Sequence, residues 1–205
     1  MPKKSNIILI NARTLFLERG YDGTTLDDVA AASGVAKTTV YNNFSDKQQL
    51  FSAVIGSIND RSAEITAAVG EMLNSSEPIE TRLHRFGAAV LAGVLQPSVV
   101  QLRRLAVSEA LRFPELVARY WEVGPLRTIE ILTDALRQAA YRGELAVADP
   151  EAAATGLAYA LVGPMQDRAL LLPQTEIAAP EVERYVSSVI NSFIRGHSRC
   201  ERDSE

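Results

Sequence analysis

The 205-residue chain has one cysteine, one tryptophan and two histidines, and that shortage excludes much. A lone Cys200 cannot close an intrachain disulfide, which suits a reducing compartment. Neither His84 nor His197 belongs to a cluster with metal-ligand spacing. There is no glycine-rich phosphate loop and no Ser-His-Asp or Cys-His arrangement. Neither catalysis nor a metal or other cofactor is expected. Nine prolines and twelve glycines are too few for a fibrous or disordered chain. No uninterrupted apolar run approaches ~18 residues, and no basic leader precedes a shorter one. A cytoplasmic chain that does not enter a membrane is expected. With 47% hydrophobic and 22% charged residues it can bury a substantial core.

Lysine is also scarce, and it is unevenly placed. All four lysines, Lys3, Lys4, Lys37 and Lys47, fall in the first 47 residues. Residues 1–50 carry six basic and five acidic side chains, against fifteen and twenty over residues 51–205. The net charge of −4 disfavours non-specific coating of DNA but leaves room for a local contact surface near the N-terminus.

Strand signals are nearly absent, whereas apolar residues recur at helical spacing between cap-like breaks. The first helix is expected over residues 5–19, ended by Gly20. Thr25 reads as an N-cap with Asp28 in a capping-box position, opening a helix over 26–33. Gly34-Val35 makes a turn, and a short helix follows from 36 or 37 to 44. Ser45 with Gln48 is expected to cap the next helix, which runs to about residue 73. Further starts are expected at Pro78, at Ser98 with Gln101 as a capping box, at Asp149-Pro150-Glu151 and at Pro180-Glu181. Phe113-Pro114 and Gly124-Pro125 should interrupt helical segments, and Gly143 should end another. The fold class is all-α, with about nine or ten helices.

The informative stretch is GYDGTTLDDVAAASGVAKTTVYNNFSDKQQLF, residues 20–51. Two short helices joined by a glycine turn have the geometry of a helix-turn-helix. Leu26, Val29, Ala30, Val35, Val40 and Phe44 can form its core. Lys37, Thr38, Thr39, Tyr41, Asn42 and Asn43 then face outward, side chains suited to phosphates and base edges. Spacing alone equally allows an αα-hairpin whose polar face meets only water.

The stretch resembles the N-terminal domain of the TetR/AcrR family of regulators. Ala12, Leu15, Phe16, Gly20, Tyr21, Thr24, Thr25, Val29, Ala30, Gly34, Val35, Thr39, Tyr41, Phe44, Lys47 and Leu50 match its pattern without a gap. Ala36 departs from it, standing where the family often has a serine cap. The resemblance implies a three-helix DNA-binding domain over residues 3–63, with the motif at about 26–45, followed by a ligand-binding and dimerisation domain over 64–205. It implies phosphate contacts from Thr25, Lys37, Thr39, Tyr41 and Lys47. Thr38, Asn42 and Asn43 are the candidates for base edges, since asparagine pairs well with adenine.

Beyond residue 51, EALRFPELVARYWEVGP (109–125) is similar to a C-terminal subgroup typified by regulators of efflux genes. Leu102, Leu105, Ala106, Glu109 and Phe113 share one helical face, setting a carboxylate on an apolar stripe. Glu109 is expected either to pair with an arginine such as Arg85 or Arg112, or to face a ligand. Phe86, Phe113, Tyr120, Trp121, Tyr159 and Met165 are candidates to line the same cavity for a largely apolar effector. Small residues crowd 152–163, and Val182, Tyr185, Val186, Val189, Ile190, Phe193 and Ile194 form an apolar stripe on the last helix. This stripe packs either within one subunit or, as the resemblance implies, against a second copy in a four-helix bundle. The expected function is that of a homodimeric, ligand-responsive repressor on double-stranded operator DNA. The alternatives are an activator of the same fold and a small-molecule carrier with a vestigial helix-turn-helix.

Overall fold

A computed structural model describes residues 4–198, so Cys200 and Lys3 lie outside the described residues. The described residues form ten α-helices and no strand. In chain order they are α1 (Lys4–Arg19), α2 (Leu26–Ser33), α3 (Lys37–Asn43), α4 (Lys47–Gly70), α5 (Ile79–Val94), α6 (Pro97–Glu109), α7 (Pro114–Trp121), α8 (Arg127–Tyr141), α9 (Pro150–Leu171) and α10 (Ala179–His197). They divide into two compact units, one of residues 4–62 with 101–123, the other of 63–100 with 124–198.

In the first unit the caps set the angles between the short helices. Gly20 takes φ +74° at the end of α1. The Thr25 hydroxyl accepts from the Asp28 N–H at 3.1 Å, while the Asp28 carboxylate accepts from the Thr25 N–H at 3.0 Å. Gly34 takes φ +63°, a conformation that favours glycine, and the Val35 N–H then reaches back to Ala30 O at 3.1 Å. The core beneath joins Ile8, Ala12 and Phe16 of α1 to Val29, Val40, Leu50 and Phe51, and also takes in Leu102, Leu105 and Phe113.

Three expected breaks are corrected by the structure. The cap of α4 is Asp46, whose carboxylate accepts from the Gln49 N–H at 2.8 Å. A carboxylate at the helix N-terminus is favoured by the dipole, so the cap sits one residue beyond Ser45. α6 opens with Pro97 as its first residue, and Gln96 rather than Ser98 precedes it. Proline lacks the N–H that a first helical position leaves unpaired anyway. Gly124-Pro125 does not interrupt the helical path. It forms one wide π turn over Glu122–Leu126, and the Thr128 hydroxyl donates to Gly124 O at 2.9 Å.

The second unit packs α5, α8, α9 and α10 around Leu83, Phe86, Leu132, Leu136, Leu157, Leu161, Val186 and Ile190. Gly87 allows close approach there, since a Cβ at that position would lie 3.3 Å from both Leu161 and Val186. Arg82 is only 2% exposed. It donates to Glu77 O at 2.9 Å and Leu73 O at 3.0 Å, and pairs with the Glu144 carboxylate. Full pairing makes that buried charge tolerable. No single helix among the described residues is long and apolar enough to cross a membrane.

Candidate nucleic-acid interface

α3 buries one residue and displays the rest. Val40 is fully buried, and Phe44 follows it into the core. Lys37, Thr38, Tyr41, Asn42 and Asn43 are exposed and Thr39 is half-exposed. Thr38 and Asn42, four apart, share a face, as do Lys37 and Tyr41. An exposed surface with 52% of Tyr41 in solvent offers hydroxyls, amides and a cation, the groups that meet phosphates and base edges. Ala36 caps α3 with no side-chain hydrogen bond, as its substitution for serine implies.

Several of these side chains already have partners. Lys37 Nζ lies 2.6 Å from Asp27 Oδ2, and that hydrogen bond holds its ammonium above the usual lysine range. Both groups are more than half exposed, so the pair is weak and open to exchange for a phosphate. The Thr25 hydroxyl donates to Asp28 Oδ2 at 2.6 Å, so its proton is committed to the cap of α2. The Asn43 amide donates to Thr39 O at 2.7 Å, which turns it back along α3 and leaves Asn42 as the freer base-edge candidate. Lys47 Nζ donates to Tyr21 O at 3.0 Å and lies 4.3 Å from the centre of the Tyr21 ring.

The same unit holds an apolar crevice of about 10 Å³, room for roughly one water molecule. Phe51 and Ile55 of α4 line it with Leu102, Leu105, Ala106, Glu109, Phe113, Leu116, Val117 and Tyr120. The structure thus brings Leu102, Leu105, Ala106, Glu109, Phe113 and Tyr120 together. Phe86 and Met165 belong to the core of the second unit. Trp121 and Tyr159 are 43% and 56% exposed, because their neighbours Tyr120 and Ala158 occupy the inward helical phase. Neither arginine offered as a partner for Glu109 pairs with it. Arg85 is bonded to Glu77 and Arg112 to Asp22.

Asn59 is the polar residue beside this crevice that sequence reasoning missed. It is 1% exposed, its amide reaches Leu116 O at 3.5 Å, and its Oδ1 has no partner. The signal was present: Asn59 stands one turn beyond Ile55 on the apolar stripe of α4. Burial raises the Tyr120 hydroxyl above the ordinary tyrosine range, opposed by Arg103.

The stripe on α10 divides. Val186 and Ile190 are 2% and 0% exposed within their own unit, which removes them from a surface that could meet another copy. Val182, Tyr185, Val189 and Phe193 remain half-buried, and the Tyr185 hydroxyl donates to Ala160 O. On α9, Gly156, Tyr159 and Ala160 are exposed. Among the described residues no group of acids, histidines or cysteines gathers to hold a metal ion.

A tri-helical head with a capped, glycine-turned helix pair and a polar second helix defines a helix-turn-helix transcriptional regulator. Residues 8–54 match the model of bacterial regulatory proteins of the tetR family, and residues 81–198 match that of the AefR-like transcriptional repressor C-terminal domain. The chain belongs to the tetR family. Over 44 residues it is 48% identical to IcaR of Staphylococcus aureus, a negative transcriptional regulator of a biofilm operon. That stretch is 22% of this chain and about a quarter (24%) of the length of that curated relative. A TetR-family transcriptional regulator from Mesorhizobium loti is 26% identical with a TM-score of 0.84, over 96% of this chain and 97% of that one. The flavonoid-responsive regulator FrrA is 25% identical with a TM-score of 0.68, over 95% of this chain and 97% of its own.

Proposed function

We propose that this chain is an effector-responsive repressor that binds operator DNA as a homodimer in the cytoplasm. The observation that carries the reading is the exposed face of α3, where Thr38, Asn42 and Tyr41 project from a helix whose only fully buried residue is Val40. Residues 3–63 carry the DNA contacts. Residues 64–205 carry effector binding and dimerisation, with 101–123 packed into the compact unit of the first segment. Repression is supported by the AefR-like repressor match and by IcaR, a negative regulator.

Thr39, Tyr41, Lys37 and Lys47 bind phosphates, and Thr38 and Asn42 read bases. The effector is largely apolar and carries a hydrogen-bond donor. The crevice on α4, α6 and α7 supports that reading, because the Glu109 carboxylate, an acceptor, lines it and the orphan Asn59 Oδ1, a second acceptor, belongs to a residue bonded to its Leu116 wall. At its present size it must open to admit more than water. FrrA responds to flavonoids, molecules of this chemical kind. The two copies meet through α9 and through Val182, Tyr185, Val189 and Phe193 of α10. Open space around Gly156 and Gly163 leaves room for a second helix to approach.

The test is a salt titration of binding to a duplex that the protein selects from random DNA. Lys47→Ala and Tyr41→Phe should weaken binding to selected and unselected sequences alike, and Lys47→Ala should reduce the salt slope by roughly one unit. A folded Lys47→Ala protein with unchanged affinity and slope contradicts the phosphate assignment.

A further inference from the structure

Arg112 is not among the DNA or effector residues, yet it occupies a position that bears on one of them. It lies in the turn between α6 and α7, and its guanidinium sits 4.2 Å from the centre of the Tyr21 ring. Arg112 also holds Asp22 at 2.7 Å, so it grips two consecutive residues of the loop between α1 and α2. Tyr21 is 5% exposed, boxed by Phe51 at 5.0 Å and Phe113 at 4.9 Å. Its carbonyl accepts the Lys47 ammonium, whose Nζ also lies over its ring.

We propose that Arg112 is a positioning residue for DNA binding: by clamping Tyr21 and Asp22 it holds the carbonyl that aims Lys47 at a phosphate. The inference rests on the reading of Lys47 as a phosphate contact. A lysine ammonium has three donors, so one bond to Tyr21 O leaves two for a phosphate. A lysine free in solution must be immobilised when DNA binds, and a lysine already held by a carbonyl and a ring has met that cost beforehand. The Arg112–Asp22 pair is half-exposed on one side and 82% exposed on the other, so it contributes little to folding stability. Its effect is on where Tyr21 sits. Phe113, next to Arg112, and Phe51 both touch Tyr21 and both line the crevice. An effector that enlarged the crevice would displace these rings and loosen the clamp, lowering affinity at Lys47.

The test is a double-mutant cycle on the full chain, read as affinity for a duplex that the wild-type protein selects from random DNA. Arg112→Gln should weaken binding about threefold to tenfold, the span expected for immobilising one side chain. In a Lys47→Ala background the same change should alter affinity by less than about 1.5-fold, because the residue it positions is gone. Arg112→Lys, which keeps a cation over the ring, should recover most of the loss. Asp22→Asn gives a test of opposite sign. Removing an acid close to DNA should tighten binding by charge alone, whereas loosening the clamp should weaken it about twofold. Equal losses from Arg112→Gln in both backgrounds, or tighter binding by Asp22→Asn, would overturn the role of Arg112 while leaving Lys47 intact. If Lys47→Ala itself changes nothing, the phosphate reading fails and this inference fails with it. Should Arg112→Gln not fold, Asp22→Asn made in the wild-type and Lys47→Ala backgrounds carries the same comparison.

Discussion

At the scale of single residues, Glu109 shows how burial and pairing decide a role. A carboxylate on an apolar stripe needs a partner, and both arginines at hand are engaged elsewhere, Arg112 with Asp22 and Arg85 with Glu77. Glu109 is half-buried and borders the crevice, so water reaches it and no stranded cation depends on it. Glu109→Gln should therefore change stability by no more than about 0.5 kcal/mol and alter which donor-bearing compounds release DNA. Thermal melting beside an effector-release assay checks both. A loss near ~3 kcal/mol would mean that Glu109 satisfies a buried charge after all. The burial of Asn59 had a sequence signal in its helical phase, but the orphaning of its Oδ1 had none. That depends on which backbone carbonyl of α7 lies opposite, a long-range fact that α4 alone does not encode.

At the scale of elements, the caps were the most legible feature. Thr25 with Asp28, Gly20, Gly34 and Asp149 act where the sequence places them, because capping is chemistry local to three or four residues. The cap of α4 slipped by one residue because Ser45, Asp46, Gln48 and Gln49 offer two overlapping boxes, and the charged one is stronger. The π turn at Gly124-Pro125 was illegible, since proline usually signals a break and here the wider helical turn continues through it. The stripe on α10 was visible, but periodicity alone could not tell its inward edge, Val186 and Ile190, from its outer one. The caps also carry a pH signature. The Thr25 hydroxyl and N–H hold the Asp28 carboxyl below the usual range, and the Gln49 N–H and Ser45 hydroxyl do the same for Asp46. Both folded pKa values are depressed, so their stabilisation is complete above the unfolded value and is lost as pH falls through the folded one. Below about pH 4 the wild-type melting temperature should fall more steeply than that of Asp28→Asn. Parallel acid limbs would show that the charge on Asp28 contributes nothing to the folded state.

At the scale of the whole molecule, the family is written in residues 20–51 because a helix-turn-helix needs its glycine turn, its small helix-crossing residue and its caps at fixed spacing. The effector site is not written so plainly, since a lining is assembled from residues far apart in the chain. Leu102, Leu105, Ala106, Glu109, Phe113 and Tyr120 came together because they lie within one stretch of the chain, residues 102–120, whereas Phe86, Tyr159 and Met165 belong to the other unit. The central claim is that α3 of a dimer reads a DNA sequence, and selection from random duplexes tests it most directly. The wild-type protein should enrich a palindrome whose two half-sites are about one helical turn, or a multiple of it, apart. Asn42→Ala should still bind with a similar salt slope but lose preference at one symmetric base pair, a discrimination of about 1–3 kcal/mol. Enrichment of no sequence by the wild-type protein, or an unaltered preference in a folded Asn42→Ala and Thr38→Ala double variant, would contradict it.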